Sequence, residues 1–163
     1  MKRFIFLAIL AAAALCTISC GMFAPENPEE AAAMKKKASS AVKSMDMTIE
    51  INEIIPVSMP AKTATIPYLL VFKDGTINGK LPYIGTLNNG NALSVNIEFD
   101  ASKFTVTNRR HDRKSGDQEL SIKAKSRDLE EFDITLSISE NGYVNMSFSS
   151  ARRSRISYYG ALR

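Results

Sequence analysis

From Met45 onward the apolar residues recur at every second position. Met47, Ile49 and Ile51 alternate with Thr48, Glu50 and Asn52, and Leu93, Val95, Ile97 and Phe99 with Ser94, Asn96 and Glu98. The rhythm returns in Phe132, Ile134, Leu136 and Ile138, and again in Val144, Met146 and Phe148. Successive side chains of a strand point to opposite faces, so this pattern is that of an antiparallel strand with one face on a core and the other in water. Shorter runs around Phe104 and Val106, Leu120 and Ile122, and Ile156 and Tyr158 read the same way. Tyr68 to Phe72 is apolar on both phases and reads as a strand covered on both faces.

Turn signals separate the runs: Asp74-Gly75, Asn89-Gly90, Asp100-Ala101-Ser102, Ser115-Gly116 and Asn141-Gly142. Asn-Gly and Asp-Gly tolerate the positive φ of tight hairpins and so join neighbouring strands as antiparallel pairs. The expectation is an all-β meander of about eight strands, closing as a sandwich or a barrel, the barrel complete or partly open.

The residues before Met45 are of another kind. Lys2 and Arg3 precede an apolar stretch running through Ala14, Leu15 and Ile18, too short for a membrane span of about 20 residues and laid out like a secretory signal. Its end, Thr17-Ile18-Ser19-Cys20-Gly21, resembles a lipobox, in which the cysteine thiol takes a diacylglycerol and becomes the new N-terminus. Cys16 is the rival, but bulky Leu15 before it would crowd the cleavage site. Residues 1–19 are thus expected to be a lipoprotein signal, 20–44 a lipidated N-terminus with tether and helix, and 45–163 the β-domain. The 144 residues left after cleavage are one domain's worth, and the net charge falls from +4 to +2 as 19 cations come to face 17 anions. With both cysteines in the first 20 residues, the folded part has no disulfide and depends on its own core.

A helix is expected shortly after Cys20. Asn27 and Pro28 suit its start, Glu29 and Glu30 fall in its first turn, and Lys35 to Lys37 come later, all in the sense the helix dipole favours. Its apolar face of Ala31, Met34, Ala38 and Val42 is thin, fit to lie loosely on the domain or to serve as a tether.

Two further stretches stand out, "KLPYIG" at Lys80 to Gly85 and "RISYYG" at Arg155 to Gly160. Together they resemble a family of Bacteroidetes lipoproteins, a domain of unknown function with an LPYxG motif and a C-terminal YYG strand. The resemblance covers Met34 to Arg163. It implies an all-β envelope domain behind a lipoprotein signal and no established activity. Physically, Pro82 belongs at an edge or bulge because it cannot donate to a ladder, and Gly85 and Gly160 suit places of close approach. Tyr83, Tyr158 and Tyr159 are open to two readings, core or cross-strand packing on one side and a tyrosine-lined ligand rim for a sugar, lipid or peptide on the other.

Catalytic signals are sparse. The single histidine, His111, sits in the polar loop "NRRHDRKSGD", and without further imidazole or thiol ligands no zinc or copper site is expected. Asp112 beside it points the other way in an extended chain. Asp128, Glu130, Glu131 and Asp133 lack a calcium loop pattern and read as a solvated connection between strands. Two basic runs, one with Arg109 and Arg110 and one with Arg152 and Arg153, are either solvated loops or one anion-binding face. The expectation is therefore a non-enzymatic envelope lipoprotein without cofactor or metal, anchored through Cys20, with an envelope protein, glycan or lipid as partner and no nucleic acid. The outer membrane, periplasmic side, is its expected place. The alternative is a carrier-like barrel for a small apolar ligand or glycolipid.

Overall fold

The computed structural model describes residues 27–89 and 92–163. The signal segment, Cys16 and Cys20 lie outside them, and the Asn89-Gly90 turn lies partly outside. Helix α1 (Pro28–Ser44) leads into eight strands: β1 (Met47–Pro56), β2 (Lys62–Lys73), β3 (Thr76–Thr86), β4 (Ala92–His111), β5 (Gln118–Lys125), β6 (Glu131–Ile138), β7 (Tyr143–Ser150) and β8 (Ile156–Leu162). Each strand pairs antiparallel with the next, and β8 returns to β1, so the all-β meander is a closed barrel. A barrel is the one all-β closure that leaves no full-length edge strand.

The period-two pattern sorts side chains between lumen and solvent. In β6, Phe132, Ile134, Leu136 and Ile138 are buried, and Glu131, Asp133 and Thr135 between them are exposed. Rings fill the lumen at one level, where Phe148 lies 5.3 Å from Tyr158 and 6.3 Å from both Phe99 and Phe132, centroid to centroid. Side chains from facing strands occupy the space that a carrier would have to keep empty, against the carrier expectation.

Two expectations about strands need correction. Tyr68–Phe72 is not covered on both faces: Leu70 and Phe72 are buried, but Leu69 is 39% exposed. The barrel has no outer layer to cover it. Asp100-Ala101-Ser102 is not a hairpin turn either. The chain runs through it as one strand of 20 residues, with Ala101 at φ 46° and its N–H held by the Asn78 side-chain carbonyl at 2.6 Å. Asp74-Gly75 does turn, both residues having positive φ (51° and 73°).

The β2–β3 seam is short. These strands pair only from Leu70–Gly79 to Lys73–Thr76, which leaves Lys62–Pro67 and Lys80–Thr86 without ladder partners across it. Pro82 therefore breaks no ladder on that side. Lysines and prolines at both free stretches (Lys62 and Pro67, Lys80 and Pro82) are the residues that discourage edge-to-edge pairing.

Helix α1 packs on the barrel instead of hanging from it. The Asn27 side chain accepts from the Glu29 N–H at 3.0 Å, and Met45 in the left-handed region ends the helix. Ala38, Ala41 and Val42 are buried in the same core as the lumen residues. Lys35 pairs with Glu140 at 2.7 Å, and Met34 lies against Gly142, which places α1 at the end of the barrel formed by the β6–β7 turn. Among the described residues no helix is long and apolar enough to cross a membrane.

Candidate functional site

The tyrosines do not form a rim. Tyr83 and Tyr158 are 1% and 0% exposed, on the inward phase of β3 and β8, while Tyr159 next door points outward and stacks on Tyr143 at 5.9 Å. The Tyr83 hydroxyl meets the carbonyls of Thr86 and Ser154 at 3.0 and 3.1 Å, and the Tyr158 hydroxyl donates to the Pro82 carbonyl at 2.8 Å. Both polar tips are thus satisfied by backbone, as buried hydroxyls must be. The motif glycines make room for these contacts. A Cβ on Gly85 would meet the Tyr83 hydroxyl at 2.5 Å, and one on Gly160 would collide with the Glu50 carbonyl across the β1–β8 seam. The two motifs therefore pack against each other inside the barrel, and Gly160 also lets β8 close on β1.

Burial, with the neighbouring Tyr83 adding to it, pushes the Tyr158 phenol far above the ordinary tyrosine range. Tyr158 stays neutral in the fold and ionises on unfolding, where phenols titrate near pH 10. Its contribution to stability is complete below about pH 10 and is lost as the pH climbs from there toward the folded value. Of the five tyrosines, Tyr158 is expected to be silent in a reversible absorbance titration, and Tyr158→Phe to leave the reversible amplitude unchanged. A drop in that amplitude would show Tyr158 titrating in the folded chain.

The arginine pairs do not share a face. Arg109 is at the α1 end, where its Nη1 donates to the Val42 carbonyl at 2.7 Å and satisfies the last turn of the helix. Arg110, exposed nearby, lies 3.9 Å from Glu119. Arg152 and Arg153 are at the opposite end, in the β7–β8 connection, and only Arg152 is exposed. Arg153 is mostly buried, its side chain 10% exposed: Nε and Nη2 reach Glu130 Oε2 at 2.9 and 2.8 Å, and its guanidinium lies 5.1 Å from the Tyr83 ring centre and 5.9 Å from that of Phe132. The single anion-binding face is thus corrected. Arg109 and Arg153 are engaged within the fold, and the length of the barrel separates the two runs.

Glu130 is likewise no solvated carboxylate. It is 5% exposed, and Oε1 accepts from the Ser150 hydroxyl at 2.6 Å. Glu131 and Asp133 are exposed and pair with Lys123 at 3.7 and 3.0 Å. His111 is exposed, its Nδ1 2.7 Å from the Gln118 amide. Among the described residues no three His, Cys, Asp or Glu come together as a metal site.

The bulge in β4 creates the feature that sequence reasoning missed. The β4–β5 ladder begins at the Phe104–Ala124 pair, and beyond it the next backbone contact is Arg127 N–H to the Glu98 carbonyl at 2.7 Å. Between those points β4 carries five residues and β5 with its turn only two, so β4 bows outward. The gap is a cleft of about 560 Å³ on the outer wall, lined from β4 by Asp100 and Lys103, from β5 by Lys123 and Lys125, and from the following turn and β6 by Arg127 and Glu131. Lys123 is engaged by Asp133 and Glu131; the Asp133 hydrogen bond raises its pKa. Arg127 and Lys80 share Glu98, and the hydrogen bond from Lys80 holds that carboxyl below its ordinary range.

Leu129 stands at the lip of the cleft, 80% exposed and at φ 61°. A left-handed leucine costs on the order of 1–2 kcal/mol. The fold holds it there from beneath. Ser126 N–H donates to the Glu130 carbonyl at 2.8 Å, Glu130 N–H donates to Ser126 Oγ at 3.2 Å, and the buried Glu130–Arg153 pair ties the turn to the β7–β8 connection.

A meander barrel with a side-chain-filled lumen and a charged cleft on its wall defines the class. The chain belongs to the DUF4251 family, a domain of unknown function whose model matches residues 29–162. The match takes in α1 from its first turn, in keeping with the packing of the helix on the barrel. Among solved structures, the chain is similar to a DUF4251 family protein from Bacteroides eggerthii DSM 20697 at a TM-score of 0.58 and 14% identity, over 82% of this chain and 90% of that one. At that identity the likeness is one of fold. No curated protein matches.

Proposed function

We propose that the chain is a cell-envelope lipoprotein, held at a membrane by lipid on Cys20, whose barrel is a non-enzymatic binding module working from its outer wall. The observation that carries the reading is the contrast between a lumen packed with rings and an outer cleft lined by four cations and two carboxylates. Ligand sites are concave with a few convergent polar groups, and a volume of about 560 Å³ falls within their usual range.

The anchor suits this geometry. Seven residues lie between Cys20 and Pro28, eight steps of chain that reach at most about 28 Å at full extension. Helix α1 would then stand nearest the bilayer, with the β1–β2 tip at the far end of the barrel. The outer membrane, periplasmic side, is the proposed location, and an envelope protein, glycan or lipid the proposed partner.

Cys20→Ala with cell fractionation tests the anchor. The native chain is expected to sediment with envelopes carrying a lipid-modified N-terminus by mass spectrometry, and the variant to become soluble. A variant that still sediments overturns the assignment. For the outer wall, Lys103→Glu with Lys125→Glu is expected to abolish retention of detergent-solubilised envelope components on the immobilised chain. Unchanged retention would move binding elsewhere.

A further inference from the structure

We infer that the cleft between the β4 bulge and the β5–β6 turn recognises the phosphomonoester head of an amphiphile, with Lys103 and Lys125 facing the phosphate and Leu129 against the start of the apolar chain. The inference rests on the reading of the outer wall as the binding surface and adds the class of ligand.

Three observations lead to it. The first is the placement of like charges. One step past the last ladder pair, Phe104–Ala124, Lys103 on β4 and Lys125 on β5 are both exposed and line the two sides of the cleft. Two like charges facing one cleft repel each other. Lys123 gives the contrast: Asp133 faces it across the β5–β6 ladder and pairs with it at 3.0 Å, whereas Glu131, which faces Lys125 across the same ladder, turns to Lys123 at 3.7 Å instead. Neither Lys103 nor Lys125 has a carboxylate within salt-bridge distance among the described residues, although both line the cleft. An anion entering between them would relieve that repulsion.

The second observation is Leu129. An apolar side chain 80% exposed, on a backbone held at φ 61°, is unfavourable twice over, by hydration and by conformation. Strain of this kind persists only where the surroundings over-determine it, here through Ser126, Glu130 and Arg153. The third is the balance of charge. With Lys123, Arg127 and Glu131 occupied by ion pairs, Asp100 remains as the one unpaired carboxylate lining the cleft, against two unpaired ammonium groups. A compact anion suits ammonium groups, which act on phosphate as point charges. The apolar lip beside them selects an amphiphile over a free ion.

The test is titration of the purified full chain with dihexanoyl phosphatidic acid, dihexanoyl phosphatidylcholine and inorganic phosphate, followed calorimetrically below the micellar range. Phosphatidic acid is expected to bind, phosphatidylcholine not to, and inorganic phosphate to compete weakly. Lys103→Gln with Lys125→Gln should weaken phosphatidic acid roughly tenfold or more, as expected for losing hydrogen bonds to a charged group. Leu129→Ser should weaken phosphatidic acid and leave inorganic phosphate unchanged. Both variants alter exposed side chains, and unchanged circular dichroism verifies the fold. Equal binding of the two lipids, or phosphatidic acid binding indifferent to the lysine pair, overturns the inference. Tight inorganic phosphate binding with no effect of Leu129→Ser overturns the amphiphile in favour of free phosphate. If phosphatidic acid fails while the Lys→Glu pair still abolishes envelope retention, the outer-wall reading stands and the phosphate ligand falls; if retention is also unaffected, both fall.

Discussion

Replacing Glu130 by alanine is expected to destabilise the chain by about 3–5 kcal/mol, the usual cost of stranding one member of a buried ion pair. Arg153 would keep its charge between the Tyr83 and Phe132 rings with nothing to neutralise it. It is already imperfectly served, since Nη1 has no hydrogen-bond partner among the described residues. The Ser150 hydroxyl would lose its acceptor as well. Urea unfolding reads the effect as a shift of the midpoint at constant slope. The exposed pair of Lys80 with Glu98, 2.6 Å apart, is the control, and Glu98→Ala should cost far less.

Removing both charges, in Glu130→Leu with Arg153→Met, should recover most of the loss, because apolar pairs of similar volume often match a buried ion pair in stability. The double variant should nevertheless leave the β5–β6 turn less firmly placed, since the Glu130 carboxylate no longer ties it to the β7–β8 connection. Weakened ligand binding at the cleft alongside recovered stability would separate the positioning role of the pair from its energetic one. If Glu130→Ala shifts stability by less than about 0.5 kcal/mol, the range of ordinary surface changes, the carboxylate is solvated and the latch does not exist.

This pair marks where the sequence was legible and where it was not. Alternation alone places Phe132, Ile134, Leu136 and Ile138 inside, and the same phase extended backward lands on Glu130. A carboxylate on the apolar phase is the signal that it is buried. Reading it as one of four clustered acids hid that, because clustering ignores phase. Alternation likewise separates Tyr158, in step with Ile156, from Tyr159, which is out of step, so a rim using both was inconsistent with a strand through them. Arg153 had no such signal: it lies in an irregular connection, and its partner is 23 residues away.

The choice of barrel over sandwich was not legible either, since both satisfy the same alternation and hairpins. It depends on the β1–β8 pairing, where Gly160 admits the Glu50 carbonyl. The cleft stayed hidden because it arises from a bulge in one strand, and Asp100-Ala101-Ser102 carries the residues of a turn. Leu129 gave no warning, since a leucine is not what a left-handed turn position usually selects.

Phe148→Ala should cost about 3–5 kcal/mol and also change what the barrel does. Phe148 is the ring that the others share, edge-on to Tyr158 and Phe132 and tilted against Phe99. Its removal takes away contacts on several sides at once, and ladders to both neighbouring strands restrain the walls from collapsing inward. The residual space is lined by aromatic and aliphatic groups, and apolar cavities of that kind stay dry and take up benzene or xenon. Native protein should show no thermal stabilisation by benzene; the variant should recover part of its lost melting temperature in it, in proportion to ligand occupancy. The barrel would thus become, by one substitution, the small carrier that its native lumen is too full to be. Benzene stabilising the native chain as strongly as the variant would mean the lumen already holds usable space, and binding would have to be sought inside the barrel as well as on its wall.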